Sequence, residues 1–424
     1  MTIFKKSLDK FLDGLKTGNK KLKIKKPELL APAGSLEKLK TAIHFGADAV
    51  YLGGKNFSLR NFAGNFTDQE MEEGIKFARK HKVKTYITCN AFPENNELEA
   101  ISNYLIFLSK LQPDAIIIAD PGVVQLAIEY SPEIPIHLST QANTTNYMSV
   151  NFWEKIGVSR VNLARELTLE QIKTINQNTK IETEVFVHGA MCISYSGRCL
   201  LSSFMSGRSA NKGRCSHPCR WKYHLKEELR PGEYYPVLED DRGSYIFNSK
   251  DLCMIEHIDK VIESGADSLK IEGRMKGTFY LGSVVKAYRE AIDLYFHKKT
   301  YSVKPSWTEL LSSVANRKYC TGFFLDDPDS ISANIENIKP DNVHNFLGTI
   351  TGIKDKMLIV DAKNRILPGE QVKILSPDKA PKPYTVIKIT DQNLNSVEKT
   401  KPNETFLIQI DNSNFSKGDI LFKE

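Results

Sequence analysis

The chain has little cysteine and no long apolar segment. Only seven of its 424 residues are cysteine, and no apolar run approaches the ~20 residues that a membrane helix requires. Residues 1–26 lack the apolar core of a secretory signal and the arginines of a mitochondrial presequence. We therefore expect a cytoplasmic protein without a membrane partner. In that compartment thiols stay reduced, and clustered cysteines serve metal binding or redox chemistry more often than disulfides.

Familiar peptidase motifs are also missing. The sequence holds neither the H-E-x-x-H of zinc peptidases nor the G-x-S-x-G of serine hydrolases. A cysteine peptidase needs one activated thiol beside a histidine. Cys192 and His188 could fill those two roles, but the other thiols would then be unexplained.

Acidic residues are absent from residues 185–226, which carry seven arginines and lysines. Residues 1–26 carry nine lysines and two aspartates, so each of the two segments has a net charge of +7. Because the whole chain also has a net charge of +7, the remainder is acidic at −7. An acidic body with two basic segments favours a polyanionic partner such as RNA. For residues 1–26, a solvated lysine-rich tail explains the charge equally well.

Eight short apolar runs predict β-strands, most of them followed by a helical pattern. The runs lie at residues 27–34, 48–54, 84–92, 114–120, 134–140, 160–166, 182–189 and 267–273. Amphipathic stretches lie at residues 68–81, 96–111, 146–156 and 168–178, and a longer one at about 276–298. This count of strand–helix units predicts an α/β fold, a (β/α)₈ TIM-like barrel. A doubly wound sheet is the alternative, although no glycine-rich phosphate-binding turn follows the first strand.

The interval between the seventh and eighth runs is about 80 residues, far longer than the others. It contains a Cys-rich insertion, residues 190–250, with an apparent hairpin that turns at Asp241-Arg242-Gly243. Beyond residue 340, short β-like runs alternate with Gly, Pro and Asn turns. We predict a basic extension (1–26), a catalytic barrel with its insertion (27–300), a connection (301–340) and a C-terminal all-β barrel (341–424).

Polar side chains follow most of the predicted strands, and functional groups of such barrels gather at the carboxyl ends of the strands. We take His188, Glu166 and Asp120 as candidate catalytic groups, although each of them also suits a structural hydrogen bond. The other strand-end side chains suit a polar, anionic small molecule and are Tyr51, Asn90, Ser139, Thr140, Gln141, Asn143, Arg165, Glu272 and Arg274.

Four of the seven cysteines lie in the basic segment, in a C-x6-C-x15-C-x3-C pattern, and a fifth follows. They are Cys192, Cys199, Cys215, Cys219 and Cys253. Thiolates bind zinc and iron–sulfur clusters. The C-x2-C knuckles of zinc ribbons and the C-x3-C-x2-C triplet of radical-SAM proteins are both absent, so the irregular spacing favours an iron–sulfur cluster, with structural zinc as the alternative.

Residues 184–202, EVFVHGAMCISYSGRCLLS, resemble the signature of the collagenase-like peptidase family U32 and meet each of its fixed positions. The resemblance extends to IHLSTQAN (136–143), GRCSHPCRW (213–221) and SLKIEGRMKG (268–277). It covers about residues 27–300, and the C-terminal β region resembles that of the longer family members.

The family name implies a peptidase, but the better-understood branches of the family are oxygen-independent hydroxylases with an iron–sulfur cluster. By its length and C-terminal region, the chain is most similar to the branch that hydroxylates the wobble uridine of tRNA at carbon 5 with prephenate as hydroxyl donor. The resemblance therefore implies a tRNA hydroxylase with a 4Fe-4S cluster. A peptidase and a non-catalytic, metal-stabilised RNA-binding protein are the alternatives.

This activity assigns binding roles to several residues. Prephenate has two carboxylates, which arginine binds bidentately, so we expect at least one of Arg60, Arg165 and Arg274 to hold it. We expect Gln141 and Asn143 to orient its ring. The residues expected to contact tRNA phosphates are Arg208, Lys212 and Arg214.

The expected cluster ligands are Cys192, Cys199, Cys215 and Cys253. Cys253 is preferred to Cys219 because it is expected to open the last crossover helix, where a helix N-terminus stabilises a thiolate. A ligand there would also tie the insertion to the barrel, and related members similarly have a distant fourth cysteine. Cys219 stays open as the alternative fourth ligand.

Overall fold

The computed structural model describes residues 22–55, 57–58, 65–192, 194–220, 238–240, 243–245, 250–298, 301–315, 317–325, 345–411 and 414–423. It contains a closed barrel of eight parallel strands and a second closed barrel of six antiparallel strands. The predicted fold class, a TIM-like barrel followed by a small all-β barrel, is therefore confirmed.

Seven strands of the first barrel alternate with six helices. The strands are β1 (Glu28–Pro32), β2 (Ala49–Leu52), β3 (Lys84–Cys89), β4 (Ala115–Ile118), β5 (Ile136–Leu138), β6 (Val158–Asn162) and β7 (Glu182–Ala190). The helices are α1 (Leu36–His44), α2 (Asp68–Lys80), α3 (Leu98–Leu111), α4 (Pro121–Tyr130), α5 (Tyr147–Lys155) and α6 (Leu169–Gln177). Both faces of each strand are covered. In β2, for example, Val50 and Leu52 belong to the layer under the helices, whereas Ala49 and Tyr51 belong to the barrel interior.

Five of the six helices between β1 and β7 begin at a capping side chain, α3 being the exception. Ser35, Thr67, Asn146 and Thr168 each accept a hydrogen bond from a backbone N–H in the first turn of the helix that follows. Asp120 does the same for α4. These caps fix where each strand-to-helix loop ends, and therefore fix the loops that carry the strand-end side chains.

The Cys-rich insertion follows β7 as predicted and contains α7 (Leu201–Ser206), β8 (Leu238–Asp240) and β9 (Gly243–Tyr245), and β10 (Asp251–Cys253) comes directly after it. β8 and β9 pair antiparallel, which confirms the hairpin, although its turn residues Asp241 and Arg242 lie outside the described residues. β10 pairs antiparallel with the end of β7. The expectation that Cys253 opens a helix was wrong: it ends a strand, and α8 (Ile258–Glu263) begins only after a short 3₁₀ turn.

The eighth strand, β11 (Ser268–Ile271), pairs in parallel with both β7 and β1 and closes the barrel. The long helix α9 (Thr278–His297) follows it, as expected from the amphipathic pattern. The stretch beyond α9 contains two elements that the sequence analysis did not predict, α10 (Pro305–Ser313) and β12 (Tyr319–Cys320). α10 packs on α9, where the indole of Trp307 donates to Glu290 Oε2 at 2.9 Å.

The second barrel consists of β13 (Asn345–Lys354), β14 (Met357–Ala362), β15 (Gln371–Leu375), β16 (Pro383–Thr390), β17 (Thr405–Ile410) and β18 (Ile420–Lys423). Five of these strands correspond to predicted runs. The sixth, β18, was missed because its four residues are too few to show an alternating pattern.

The two barrels are packed together. Phe422 of β18 contacts Phe279 of α9 with 4.8 Å between ring centroids, and Ile420 and Leu375 join the core of the first barrel. A polar contact also joins the two barrels: Lys286 Nζ donates to the carbonyl of Pro377 at 2.7 Å. No helix within the described part of the chain is long and apolar enough to cross a membrane.

Candidate functional site

A small cavity of about 50 Å³ opens at the carboxyl ends of the barrel strands. It brings together seven of the strand-end residues named from the sequence, which are Tyr51, Asn90, Ser139, Thr140, Gln141, Glu272 and Arg274. Five further residues complete its wall, which are Thr88, Ile117, Asn162, Phe186 and Lys270. Most of these groups are polar, so the cavity suits a polar ligand.

Arg274 is the most firmly placed cation of the cavity. It is 3% exposed, and its guanidinium donates to Ser58 Oγ at 2.7 Å, to Thr88 Oγ1 at 3.2 Å and to Asn65 Oδ1. A glycine makes room for it: a Cβ at Gly53 would lie 2.7 Å from Arg274 Nη2 and 2.6 Å from Thr88 Oγ1. The guanidinium is therefore held in one orientation, as bidentate recognition of a carboxylate requires.

A chain of buried charges runs from the cavity into the barrel. Lys270 Nζ lies 4.5 Å from the centre of the Tyr51 ring and donates to Glu184 Oε1 at 2.6 Å. Glu184 lies 3.5 Å from Arg160, which in turn contacts Glu28 at 2.6 Å. Burial is the largest single influence on Glu28 and raises its pKa, but the charge and hydrogen bond of Arg160, with the Tyr86 hydrogen bond and the charge of Lys84, together hold that pKa below its usual value. The barrel interior below the cavity thus contains paired buried charges beside apolar side chains such as Leu30 and Ile117.

The opposite wall of the cavity carries neutral polar groups. Asn90 Nδ2 donates to Ser139 Oγ at 3.3 Å and to Gln141 Oε1 at 3.4 Å. Asn162 is 3% exposed, and its Oδ1 atom has no hydrogen-bonding partner among the residues that the structure describes. On the β2 side, the Tyr51 hydroxyl donates to Glu272 Oε2 at 3.0 Å. The cavity therefore presents amide, hydroxyl, carboxylate and guanidinium groups to one small volume.

The three candidate catalytic residues lie outside this cavity. Asp120 Oδ1 accepts from the backbone of Val123 at 3.1 Å and caps α4. Glu166 accepts from the backbone N–H of Ser196 at 2.9 Å and so holds the insertion. His188 is buried against the rings of three tyrosines, and burial, followed by the charge of Lys276, lowers its pKa to about 3. As placed, each of these three residues serves the architecture of the site.

The remaining residues predicted to bind the small molecule do not line the cavity or lie outside the described residues. The Arg165 guanidinium lies 5.1 Å from the centre of the Phe186 ring, at the outer side of the cavity wall, and donates to the carbonyl of Ala190 at 3.1 Å. Asn143 has a left-handed backbone conformation just after the turn that carries Gln141 and does not line the cavity. Arg60 lies outside the described residues.

The insertion is docked over the cavity mouth. A Cβ at Gly197 would lie 2.2 Å from the carbonyl oxygen of Gln141, so only glycine permits this approach. On another side, Lys212 Nζ lies 2.6 Å from Glu94 Oε1 and 3.4 Å from Glu97 Oε2, both in the segment after β3. The basic segment therefore adjoins the cavity. Of the other predicted RNA-contacting residues, Arg208 and Arg214 are exposed.

The cysteines proposed for the cluster differ in exposure. Cys192 is exposed, whereas the thiols of Cys199, Cys215 and Cys219 are half-buried. Cys253 lies opposite His188 in the β10–β7 pair, and burial raises the pKa of its thiol to about 11. Within the described ranges, no three His, Cys, Asp or Glu side chains lie close enough together to hold a metal ion. This finding concerns a single ion; each thiolate of a 4Fe-4S cluster binds a different iron, and cysteine is the donor type that such a cluster needs.

Lys270, Asn162, Phe186 and Thr88 are cavity residues that the strand-end rule missed. All four lie within strands, where the sequence analysis expected core side chains. Their position within the strand could have predicted them, because alternate residues of a barrel strand point inward and the layer nearest the carboxyl ends contacts the cavity. Lys270, a charged residue between the apolar Leu269 and Ile271 and two positions before Glu272, is the clearest such signal.

An eight-stranded α/β barrel with a polar cavity at the carboxyl ends of its strands is the architecture of TIM-barrel enzymes. Within that class, the chain belongs to peptidase family U32. The model of that family matches residues 34–334, and the model of its C-terminal domain matches residues 342–421.

Curated relatives carry names of different kinds. The tRNA hydroxylation protein P1 of Bacillus subtilis is 38% identical to this chain over 89% of the chain and 90% of its own length. An uncharacterized protease of Methanocaldococcus jannaschii is 45% identical over 71% of the chain and 73% of its own length. The 23S rRNA 5-hydroxycytidine synthase of Escherichia coli is 35% identical over 64% of the chain and 40% of its own length.

Proposed function

We propose that this chain is an enzyme that hydroxylates RNA, and that its substrate is the wobble uridine of tRNA, which it converts to 5-hydroxyuridine in the cytoplasm. One observation carries this proposal: the acid-free basic segment is docked over the polar cavity by the Ser196–Glu166 and Lys212–Glu94 contacts. An RNA backbone attracted by that segment reaches the cavity mouth. The names of two relatives, one acting on tRNA and one on 23S rRNA, support RNA hydroxylation.

The proposed hydroxyl donor is prephenate, which makes the reaction independent of oxygen. Its two carboxylates suit the fixed guanidinium of Arg274 inside the cavity and that of Arg165 beside the cavity wall. The amide of Gln141 is placed to orient the ring of the donor, and Phe186 excludes water from one wall. The chain's own residues thus bind and orient the donor next to the base.

The proposed cofactor is a 4Fe-4S cluster, a group that supplies electron-transfer chemistry when bound. Its proposed ligands are Cys192, Cys199 and Cys215 in the insertion and Cys253 just beyond it on β10. The first three lie in the acid-free basic segment, where positive charge favours the thiolate form.

The protonation state of the histidine that a cysteine peptidase would use disfavours this alternative. A Cys–His nucleophile requires a thiol with a lowered pKa beside a histidine that accepts its proton. The histidine of the candidate Cys192–His188 pair does not meet this requirement, because burial lowers the pKa of His188 to about 3. His188 is therefore held neutral and is a weak proton acceptor.

The test is nucleoside analysis of tRNA from a strain that lacks the gene. We expect 5-hydroxyuridine to disappear, to return with the wild-type gene, and to stay absent with an Arg274→Ala variant or when prephenate synthesis is blocked. Unchanged 5-hydroxyuridine in the deletion strain would overturn the proposed substrate and reaction together. Release of peptides from a denatured protein by the purified chain would favour the peptidase instead.

A further inference from the structure

One short stretch of the insertion exposes an unusual amount of apolar surface. Tyr195 is 61% exposed, Leu200 58%, Phe204 83% and Met205 46%. Phe204 is the most exposed large hydrophobic side chain in the described part of the chain. Scattered exposed apolar residues are ordinary, but four within eleven positions indicate a surface that contacts a partner.

The charge of this stretch decides which partner fits. Arg198, Arg208 and Arg214 are exposed beside it, and residues 185–226 contain no acidic residue. A two-fold dimer through this face would place two basic surfaces against each other, which is unfavourable. Single-stranded RNA matches both properties, because its phosphates pair with arginine and its unpaired bases stack on aromatic rings.

The position of the stretch connects it to the cavity. The backbone N–H of Ser196, next to Tyr195, is held by Glu166, and the Ser196 hydroxyl lies 3.5 Å from Thr140 Oγ1. Thr140 lines the cavity. Tyr195 is therefore fixed at the rim of the cavity, and α7, which carries Phe204, begins only six residues further along the chain.

We propose that Tyr195 and Phe204 form a stacking surface for unpaired bases of the RNA, with Arg198 binding a neighbouring phosphate. The inference rests on the proposed RNA substrate and adds to it the binding mode: the loop nucleotides that flank the modified base stack on these two rings. An anticodon loop, whose bases are unpaired, is a ligand of this surface, whereas a continuous duplex is not.

The test compares the binding of an anticodon stem-loop RNA with that of a blunt duplex of similar length. We expect Phe204→Ala and Tyr195→Ala each to weaken stem-loop binding by about 5- to 100-fold and to leave duplex binding unchanged. Phe204→Trp and Tyr195→Phe should retain binding. Stacking involves no counterion release, so the alanine variants should keep the salt dependence, whereas Arg198→Ala should reduce the log–log slope by about 0.7–0.9.

Three outcomes would overturn the stacking surface. The first is unchanged stem-loop affinity in the Tyr195→Ala, Phe204→Ala double variant. The second is equal weakening for stem-loop and duplex. The third is a wild-type dimer that becomes monomeric in Phe204→Ala, because the face would then bind a second copy. If stem-loop binding falls as expected while the deletion strain keeps its 5-hydroxyuridine, the proposed function fails and the stacking surface stands.

Discussion

At the scale of single residues, the cavity depends on side chains that are held before any ligand arrives. Arg274 is fixed by Ser58, Thr88 and Asn65, and Gly53 leaves the space that its guanidinium occupies. Lysine at this position has neither the planar fork nor the same set of donors. The orientation of the guanidinium, more than its charge, is therefore what a bidentate ligand requires.

We expect Arg274→Lys to raise the prephenate concentration needed for half-maximal hydroxylation by at least about tenfold, because a bidentate contact is lost. Gly53→Ala should have a similar effect, since its Cβ displaces the same guanidinium. Single-turnover assays at varied prephenate measure this requirement. Arg79→Lys, an exposed arginine of α2, is the matched control. An unchanged requirement in both cavity variants would remove Arg274 from the donor site.

Arg160 neutralises buried carboxylates below the cavity. It contacts Glu28, Glu182 and Glu184, so we expect Arg160→Met to destabilise the protein by about 3–5 kcal/mol at neutral pH, because it leaves buried charge uncompensated. The lowered pKa of Glu28 stabilises wild type above the unfolded pKa of about 4.3, and this contribution is lost as the pH falls through the folded pKa. In the variant, burial still raises that pKa, and only Tyr86 and Lys84 remain to oppose it. Denaturation curves should therefore show that the difference in free energy of unfolding between wild type and variant becomes smaller towards pH 4. A difference that does not change with pH would contradict this account.

At the scale of elements, the insertion is tied to the barrel by a strand. β10 pairs with the end of β7 and holds Cys253 opposite His188, whereas Cys219 lies in a short 3₁₀ turn of the insertion itself. A cluster ligand on β10 links the insertion to the barrel, and a ligand in the 3₁₀ turn does not. This difference separates the two candidates for the fourth ligand.

After anaerobic reconstitution, we expect Cys253→Ala to lose most of its iron and sulfide and Cys219→Ala to keep them, because removal of one of four thiolates exposes a cluster corner. Iron and sulfide content per chain, with visible absorbance, measures this. Cys320→Ala is the matched control, since Cys320 lies beside β10 on β12 but is not a proposed ligand. Full iron content in Cys253→Ala would shift the assignment to Cys219.

The elements show what the sequence could and could not predict. Runs such as "DAIIIAD" and "ETEVFVHG" predicted their strands because buried parallel strands are apolar on both faces. The β10 strand was not predicted, because "DLC" has a partner only where the insertion folds back on β7. Sequence position alone likewise identified the strand-end residues Gln141 and Arg274. It did not identify Asn162 and Lys270, because their inward orientation depends on the register of the strands around the closed barrel.

At the scale of the whole molecule, the second barrel is fixed to the first through α9 and α1. Lys286 of α9 is 5% exposed and donates to the carbonyl of Pro377, while its Nζ lies 2.6 Å from Glu290 Oε1. His44 of α1 lies 2.7 Å from Asp419 of the second barrel. These polar contacts join the Phe279–Phe422 packing, so the two barrels should unfold together.

We expect Lys286→Met to destabilise the protein by about 1–3 kcal/mol, because the partly buried carbonyl of Pro377 loses its donor, and to separate the single unfolding transition into two. Calorimetry and limited proteolysis, which should release the second barrel as a fragment, check this result. The control is Lys379→Met, since Lys379 donates to Asn414 within the second barrel and does not bridge the two. Identical melting of the two variants would show that the polar bridge contributes nothing.

The position of the insertion also constrains how the chain is synthesised. Between the last residue of β7, Ala190, and the first residue of β11, Ser268, a ribosome must add 77 residues. At about 5–20 residues per second, that takes roughly 4–15 s, during which β1 and most of β7 are unpaired edges of an open sheet. The cysteines emerge within this interval, before β11 closes the barrel. Nascent chains are therefore exposed to edge-to-edge aggregation for as long as the insertion is being made, and slow translation of residues 191–267 prolongs that exposure.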